Sequence, residues 1–393
     1  MREINVALIG EGFMGRTHSN AWAQVTKFFK PSIRPVMHTS CGRREDHPKV
    51  FSNNWGWLHA SASWESTVRS AAIDLVDIVT PNFLHAKVAT AAIEAGKHVA
   101  CEKPIAGTLA EAREMVQAAR QAQVKTFVWY NYRRCPAVGL AHKLVKDGAL
   151  GTLRHVRAIY LQDWADESIP LAWRFQKERA GSGAHGDLNA HLVDMTRFVT
   201  GEEITEICGA VAETFIKERK KMVGTAAGGI AAGVQSGEDK GPVTVDDTLL
   251  FLARFSGGAV ASFEAARQAT GNQNRNGFEL NGTKGSLKFD FERMNELQYY
   301  DATRPRAVQG WTTIMCTHGG DHPYVEHWWP DAHTLGYEHG FINQAYDILQ
   351  VLSGHKPTVP IPDFNDAYQT QRVLEAALIA AAERRPVALA EVD

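Results

Sequence analysis

Three side chains in this sequence are of the kinds that remove a proton from an alcohol and stabilise the oxygen left behind. Lys103 stands in Cys101-Glu102-Lys103-Pro104, just after a short apolar run. Asp187 and His191 stand four residues apart in Gly183-Ala184-His185-Gly186-Asp187-Leu188-Asn189-Ala190-His191, a spacing that in a helix puts both on one face. Dehydrogenation of an alcohol needs a base for the hydroxyl proton, a cation near the developing alkoxide and an acceptor for the hydride. His191 and Lys103 fit the first two needs, and Asp187 sits where it can orient and tune them. Taken alone, an Asp/His pair at this spacing is more often a surface interaction worth a few tenths of a kcal/mol. Its place after the glycine-rich Gly181–Gly186 stretch, together with a lysine at a strand end, turns the reading towards catalysis.

The hydride acceptor is suggested at the N-terminus. Gly10-Glu11-Gly12-Phe13-Met14-Gly15 follows the strand-like Asn5–Ile9 and opens a helical stretch, the setting a dinucleotide-binding turn requires. Gly10 allows the tight turn, Gly12 lets backbone approach the pyrophosphate, and Gly15 lets helix and strand pack closely, while the helix N-terminus meets the negative charge. Gly10, Gly12, Phe13, Met14 and Gly15 are therefore candidate contacts to NAD or NADP. The second strand, Arg34–Ser40, is followed by Cys41-Gly42-Arg43-Arg44, with no carboxylate at the strand end where an NAD enzyme usually carries one. Gly42, Arg43 and Arg44 could accommodate a 2′-phosphate, which leans the reading towards acceptance of NADP. Stacking of the arginines on adenine, or exposure to solvent with Glu45 and Asp46 cancelling their field, stays open.

The elements that must hold these groups change in texture along the chain. Ile4–Ile9, Ile73–Val79, His98–Cys101 and Thr126–Trp129 read as strands and Ala86–Ala95 and Leu109–Ala122 as helices, an alternation that implies a doubly wound parallel sheet over residues 1–130. From 131 to 393 the pattern becomes strand, tight turn, strand: Leu249–Phe255, Gly257-Gly258, Ala259–Ala265, then Phe278–Leu280 and Ser286–Phe291. A predominantly antiparallel, open-sheet domain is expected, closed by a helix over about 366–385 that packs back on the body. Gly224–Gly241, rich in Gly and Ala, reads as a mobile excursion. An open sheet needs a cover on its second face, so a homo-oligomer, dimer or tetramer, is expected.

In their order along the chain, the glycine motif, Thr80-Pro81-Asn82 with His85, Glu102-Lys103-Pro104, Asn131-Tyr132-Arg133 and the Asp187/His191 helix make this sequence resemble the Gfo/Idh/MocA oxidoreductases, over essentially its whole length. The resemblance implies a Rossmann domain followed by a catalytic sheet domain, with Lys103 as the catalytic lysine, Asp187 as its acidic partner and His191 as the proton acceptor. It further implies that Thr80, Pro81, Asn82 and His85 line the dinucleotide and that Glu102 lies beside the nicotinamide ribose. More loosely, Tyr160–Trp164 and Trp173-Arg174-Phe175 look like the corresponding stretches of levoglucosan, inositol and sugar dehydrogenases of that family. That likeness implies a cyclic polyol, sugar, anhydrosugar or glycoside substrate, contacted by Tyr132, Gln162, Asp163, Arg174 and Tyr337. Two rivals follow from the same residues: an NAD-dependent glycosidase using transient oxidation, and a dinucleotide-linked sugar sensor, which would be expected to lack the catalytic groups that are present here.

Composition limits the other classes. A chain of 393 residues, 44% hydrophobic, with a formal net charge of −2, offers no basic field for nucleic acid. Its five cysteines are scattered without a CxxC pair, and no signal-like leader or long apolar run is visible, so a reduced, cytoplasmic setting is expected, with no membrane partner. His318, His322, His327, His333 and His339 lack ligand spacing, and no metal is expected.

Overall fold

A computed structural model describes residues 2–43, 46–223 and 236–393. It divides into two compact units, Met1–Arg134 with Gly336–Tyr368, and Cys135–Leu335 with Gln369–Asp393. A single boundary near residue 130 does not include the return of Gly336–Tyr368 to the first unit. The return is held by aromatic packing: Phe29 stacks on Tyr346 with ring centroids 4.4 Å apart, and Phe341 lies 5.5 Å from His18.

The first unit is built on six strands, β1 (Arg2–Ile9), β2 (Ile33–Cys41), β3 (His59–Ser61), β4 (Leu75–Ile78), β5 (His98–Cys101) and β6 (Thr126–Val128), in the order β3-β2-β1-β4-β5-β6. Every pairing is parallel. β4 and most of β1, β5 and β6 are buried, as a parallel sheet covered on both faces demands. The helix Phe13–Phe28 buries Gly15, His18, Ser19, Trp22 and Val25, positions three or four apart that form one stripe. The strand order reverses between β1 and β4, so the crevice where such sheets take ligands lies at the carboxyl ends of these two strands.

The second unit carries β7 (Leu153–Leu161), β8 (Ile204–Glu213), β9 (Glu218–Met222), β10 (Ser236–Pro242), β11 (Thr248–Phe255), β12 (Val260–Ala266), β13 (Arg275–Gly282), β14 (Gly285–Asp290), β15 (Glu296–Asp301), β16 (Trp311–Met315) and β17 (Val387–Ala388). Nine of them form one sheet in the order β16-β15-β14-β13-β7-β12-β11-β8-β17; β9 and β10 pair separately. The large sheet is antiparallel except where β7 meets β12. Along β11, Leu249, Phe251, Ala253 and Phe255 are buried while Leu250, Leu252 and Arg254 face out, a period of two that leaves one face without cover among the described residues. The helices Pro136–Lys146 and Ala190–Thr200 pack on this sheet.

A parallel sheet followed by a mostly antiparallel one is the fold class expected from the sequence. The Asn281-Gly282-Thr283 stretch lies at the turn between β13 and β14. The helix Phe364–Glu383 begins two residues before its expected start. Of the glycine-rich stretch Gly224–Gly241, residues 224–235 lie outside the described residues, and Ser236–Pro242 pairs with Glu218–Met222 as a strand. Among the described residues no helix is long and apolar enough to cross a membrane.

Candidate active site

The three glycines of the turn differ in the room around them. Gly10 has φ +119°, and a Cβ there would come within 2.7 Å of the Val79 carbonyl oxygen; one on Gly15 would come within 2.6 Å of the Gly10 carbonyl oxygen. Both positions are closed by backbone. Among the described residues a Cβ on Gly12 would meet nothing within 4 Å, so open space lies where a pyrophosphate would approach. The helix behind it starts without a side-chain cap, which leaves its first N–H groups directed at that space. Thr80, just past β4, has a buried hydroxyl oxygen with no hydrogen-bond partner among the described residues. Open space, an uncapped helix end and an orphaned hydroxyl at the switch point fit a dinucleotide. Phe13 is exposed, and Tyr337 stacks on it with ring centroids 6.3 Å apart. Tyr337 thus lies by the glycine turn of the first unit, while Gln162, Asp163 and Arg174, grouped with it from the sequence, belong to the second.

At the end of β2, Gly42 N–H donates to the Ser61 carbonyl (3.1 Å), and Arg43 is exposed; Arg44 lies outside the described residues. The carboxylate that the strand itself lacks arrives from the glycine turn. Glu11 Oε1 accepts a hydrogen bond from Ser40 Oγ at 3.0 Å.

Several residues expected to line the ligand face inward. His85 is fully buried, with Nδ1 2.9 Å from the Pro104 carbonyl and Nε2 2.9 Å from that of Thr80. It ties the Thr80-Pro81-Asn82 turn to the Lys103-Pro104 turn; its burial lowers its basicity against the pull of both carbonyls. Glu102 is buried: Oε1 lies 3.0 Å from His18 Nε2, and Oε2 accepts the Lys103 N–H at 3.1 Å. Tyr132 is buried in the short helix Asn131–Arg134, whose arginines are anchored within the same unit, Arg133 to Asp366 (2.6 Å) and Arg134 to Asp347 (2.9 Å).

In the second unit, the segment bearing Asp187 is not a regular α-helix. His185–Asn189 forms a π turn, and the α-helix proper runs over Ala190–Thr200. The four-residue spacing of Asp187 and His191 therefore spans a widened turn, a local device frequent at functional sites. Its start is held by Asp246, whose Oδ1 accepts Gly183 N–H and whose Oδ2 accepts His185 N–H, both at 2.7 Å. A Cβ on Gly183 would collide with the Asp246 carbonyl oxygen, which is why a glycine stands there. His185 is buried and Asn189 bonds to its Nδ1 at 3.0 Å.

Asp187 Oδ2 accepts a hydrogen bond from Arg267 Nη2 at 2.7 Å; the Arg267 side chain is 3% exposed and that of Asp187 24%. The guanidinium also lies 5.6 Å from the Trp164 ring centroid. Trp164 Nε1 donates to Gln162 Oε1 (2.8 Å), and Gln162 Nε2 and Tyr160 OH each donate to Asn274 Oδ1 (2.9 Å). The Tyr160 ring lies 6.0 Å from that of the buried His191. Arg174 is placed over Trp173 at 4.4 Å, and Asp163 accepts the Gly271 N–H at 3.0 Å. A polar wall thus runs from Asp187 to Tyr160 within one unit.

Arg267, Asp246 and Asn274 were not singled out from the sequence, and Trp164 entered as the end of the Tyr160–Trp164 stretch without a role of its own. The Asp246-Asp247 doublet ahead of β11 carried a local signal; Arg267 and Asn274 take their partners Asp187 and Gln162 from 80 and 112 positions away.

Comparison with known proteins agrees with this architecture. Residues 4–130 match the family model of the NAD-binding Rossmann fold of an oxidoreductase family, and residues 138–288 match the GFO/IDH/MocA C-terminal domain. The chain is 40% identical over 398 residues to levoglucosan dehydrogenase of Pseudarthrobacter phenanthrenivorans, covering 100% of both. Among solved structures it resembles an oxidoreductase domain protein from Kribbella flavida (TM-score 0.91, 45% identity, 99% of this chain and 100% of that one). It also resembles levoglucosan dehydrogenase in complex with NADH and levoglucosan (TM-score 0.90, 39% identity, 98% and 99%). The two matched models and the full-length relative identify the chain as an oxidoreductase of the Gfo/Idh/MocA family, with an NAD-binding Rossmann domain.

Proposed function

We propose that this enzyme oxidises a secondary ring hydroxyl of an anhydrosugar, sugar or cyclitol, with levoglucosan as the first compound to try. The observation that carries the reading is the polar wall from Asp187 through Arg267, Trp164 and Gln162 to Tyr160, beside His191. Its hydrogen-bonding edges suit a polyhydroxylated ring, and its tryptophan face suits the apolar side of one. The bound nicotinamide supplies a hydride acceptor. His191 takes the hydroxyl proton, the Lys103 ammonium steadies the oxygen as negative charge grows on it, and Asp187, held by Arg267, orients these groups.

NAD is proposed over NADP, against the lean of the arginine pair. The Glu11 carboxylate reaches the end of β2, where it can accept from a ribose hydroxyl and repel a 2′-phosphate, while Arg43 points to solvent. A cytoplasmic homo-oligomer, joined through the outward face of the large sheet, accords with the free thiols and with exposed Val211, Leu250, Leu252 and Val260.

The test is a panel of anhydrosugars, sugars and cyclitols scanned for absorbance change with NAD and NADP, repeated with Lys103→Ala and His191→Ala. Cofactor reduction by a ring polyol in the wild type, lost from both variants while dinucleotide binding persists, is expected. Wild-type turnover in either variant would overturn the assigned chemistry.

A further inference from the structure

The first unit holds a buried charged cluster in which His18 and Asp77 enter neither the dinucleotide contacts nor the alcohol chemistry. His18, three residues past Gly15, is fully buried, with Nδ1 3.0 Å from Asp77 Oδ2 and Nε2 3.0 Å from Glu102 Oε1. Asp77, on β4, is also fully buried, and its two oxygens accept the indole N–H groups of Trp22 (2.8 Å) and Trp129 (2.9 Å). The Trp129 ring lies 4.2 Å from the imidazole. Four segments of the fold thus converge on one histidine.

Two carboxylates withdrawn from water in this way need a cation between them. Burial alone would make His18 a weaker base, yet Asp77 and Glu102 outweigh it and raise its pKa to about 9. At neutral pH both ring nitrogens therefore carry protons and donate, one to each carboxylate. The remaining oxygen of Glu102 receives the Lys103 N–H.

We infer that His18 is a positioning residue for the reaction: it clamps Glu102, and through Glu102 the backbone of Lys103, so that the lysine leaves its strand end in a direction referred to the glycine-turn helix. The inference rests on the proposed role of Lys103. A lysine stem is long and rotatable, so its ammonium is aimed only as well as its backbone is fixed, and a displacement of about 1 Å costs on the order of 100-fold in rate. His18 lies on the same helix whose N-terminus faces the pyrophosphate space. One side chain thereby gives dinucleotide and lysine a common frame.

Two conservative variants separate positioning from simple stabilisation. The Asn amide nitrogen mimics Nδ1, so His18→Asn retains the donor to Asp77 and releases Glu102; the Gln nitrogen mimics Nε2, so His18→Gln retains the donor to Glu102. Well below either melting temperature, NADH affinity by fluorescence titration should stay within about threefold of wild type in both. On the polyol found by the panel, kcat should fall about 30-fold or more in His18→Asn, by much less in His18→Gln, with KM nearly unchanged. Equal effects in the two variants, or wild-type kcat in folded His18→Asn, would overturn the proposal. Should neither variant fold, Glu102→Gln, which leaves His18 in place, should show the same loss of kcat, and its absence would be equally decisive. Lys103→Ala, measured alongside, distinguishes the two failures. If it is inactive while His18→Asn is normal, only the positioning role falls; if it turns over normally, the proposed reaction falls and takes the positioning role with it.

Discussion

Gly12→Ala should separate binding from folding at the glycine turn. Gly12 has φ −78° and ψ −155°, which any residue adopts, and its added methyl meets nothing within 4 Å. A poorer N-cap costs about 1 kcal/mol, and reduced freedom of the unfolded chain returns about 0.4–1 kcal/mol, so the melting temperature should move by no more than about 4 °C. The same methyl occupies the space a pyrophosphate must enter to reach the helix N–H groups. Displaced charge-assisted hydrogen bonds of that kind are worth about 1.5–3 kcal/mol, which weakens NADH about tenfold to a hundredfold. Gly15→Ala, whose methyl would press within 2.6 Å of the Gly10 carbonyl oxygen, should instead lower the melting temperature severely. Thermal melts and fluorescence titration of each variant with NADH test the pair. A folded Gly12→Ala that binds NADH within twofold of wild type would refute the placement of the dinucleotide.

Four further outcomes follow from named contacts. Arg267→Met should destabilise the protein by about 3 kcal/mol in urea and lower kcat, because Asp187 loses its partner in a mostly buried setting; Arg267→Lys should not restore it, since an ammonium lacks the planar fork. Glu11→Gln should narrow the preference for NADH over NADPH measured as a ratio of dissociation constants, and an unchanged ratio would remove Glu11 from the ribose. Stability should pass through a maximum near pH 6.5: the raised pKa of His18, about 9, means that its contribution is complete below its ordinary value and drains away as pH rises towards 9, by about 1.4 kcal/mol per pH unit, whereas His85 and His185, lowered chiefly by burial, cost stability as pH falls. Melts of His18→Asn should lack the alkaline slope between pH 6.5 and 8.5, the interval below the buried thiols. Leu252→Glu should leave the fold intact, because the side chain already faces out, and should shift the mass by light scattering from oligomer to monomer if the outward face is the interface.

What could be read in the sequence were the features that depend on neighbours along the chain. The glycine turn is legible because strand, turn and helix follow one another within 28 residues. The same holds for the alternation in β11 and β12 and for Lys103 after its apolar run. The π turn was hidden, since an i, i+4 pair looks the same whether or not the turn between its members is widened. The inward turn of His85 and Glu102 was hidden as well, because their partners lie on the Lys103-Pro104 turn and on the helix Phe13–Phe28. Arg267 occurs in Ala265-Ala266-Arg267-Gln268, where nothing local distinguishes it from a surface arginine; its burial is decided by Asp187, 80 positions earlier. The return of Gly336–Tyr368 to the first unit left no trace either, because a helix advertises its apolar face and not the body it will cover.

The two sites therefore differ in how they can change. At the glycine turn the contacts are backbone, so alternatives are excluded by atoms that no substitution can remove: the Val79 carbonyl closes on Gly10 and the Gly10 carbonyl on Gly15. Along the wall of the second unit the contacts are side chains that satisfy one another in sequence, Trp164 to Gln162, Gln162 and Tyr160 to Asn274. Replacing one member by an apolar residue strands its neighbour's donor or acceptor in a buried place, at about 1–3 kcal/mol, whereas replacing both partners with groups of matching shape can be nearly neutral. Substrate range in this enzyme should then shift through paired changes, Gln162 with Asn274 or Trp164 with Gln162, more readily than through single ones. A double-mutant cycle at Gln162 and Asn274, read on stability and on kcat/KM across the polyol panel, should give coupling well above additivity for both quantities. Additive behaviour would mean that each side chain meets the substrate independently, and that the wall is a collection of contacts rather than a connected network.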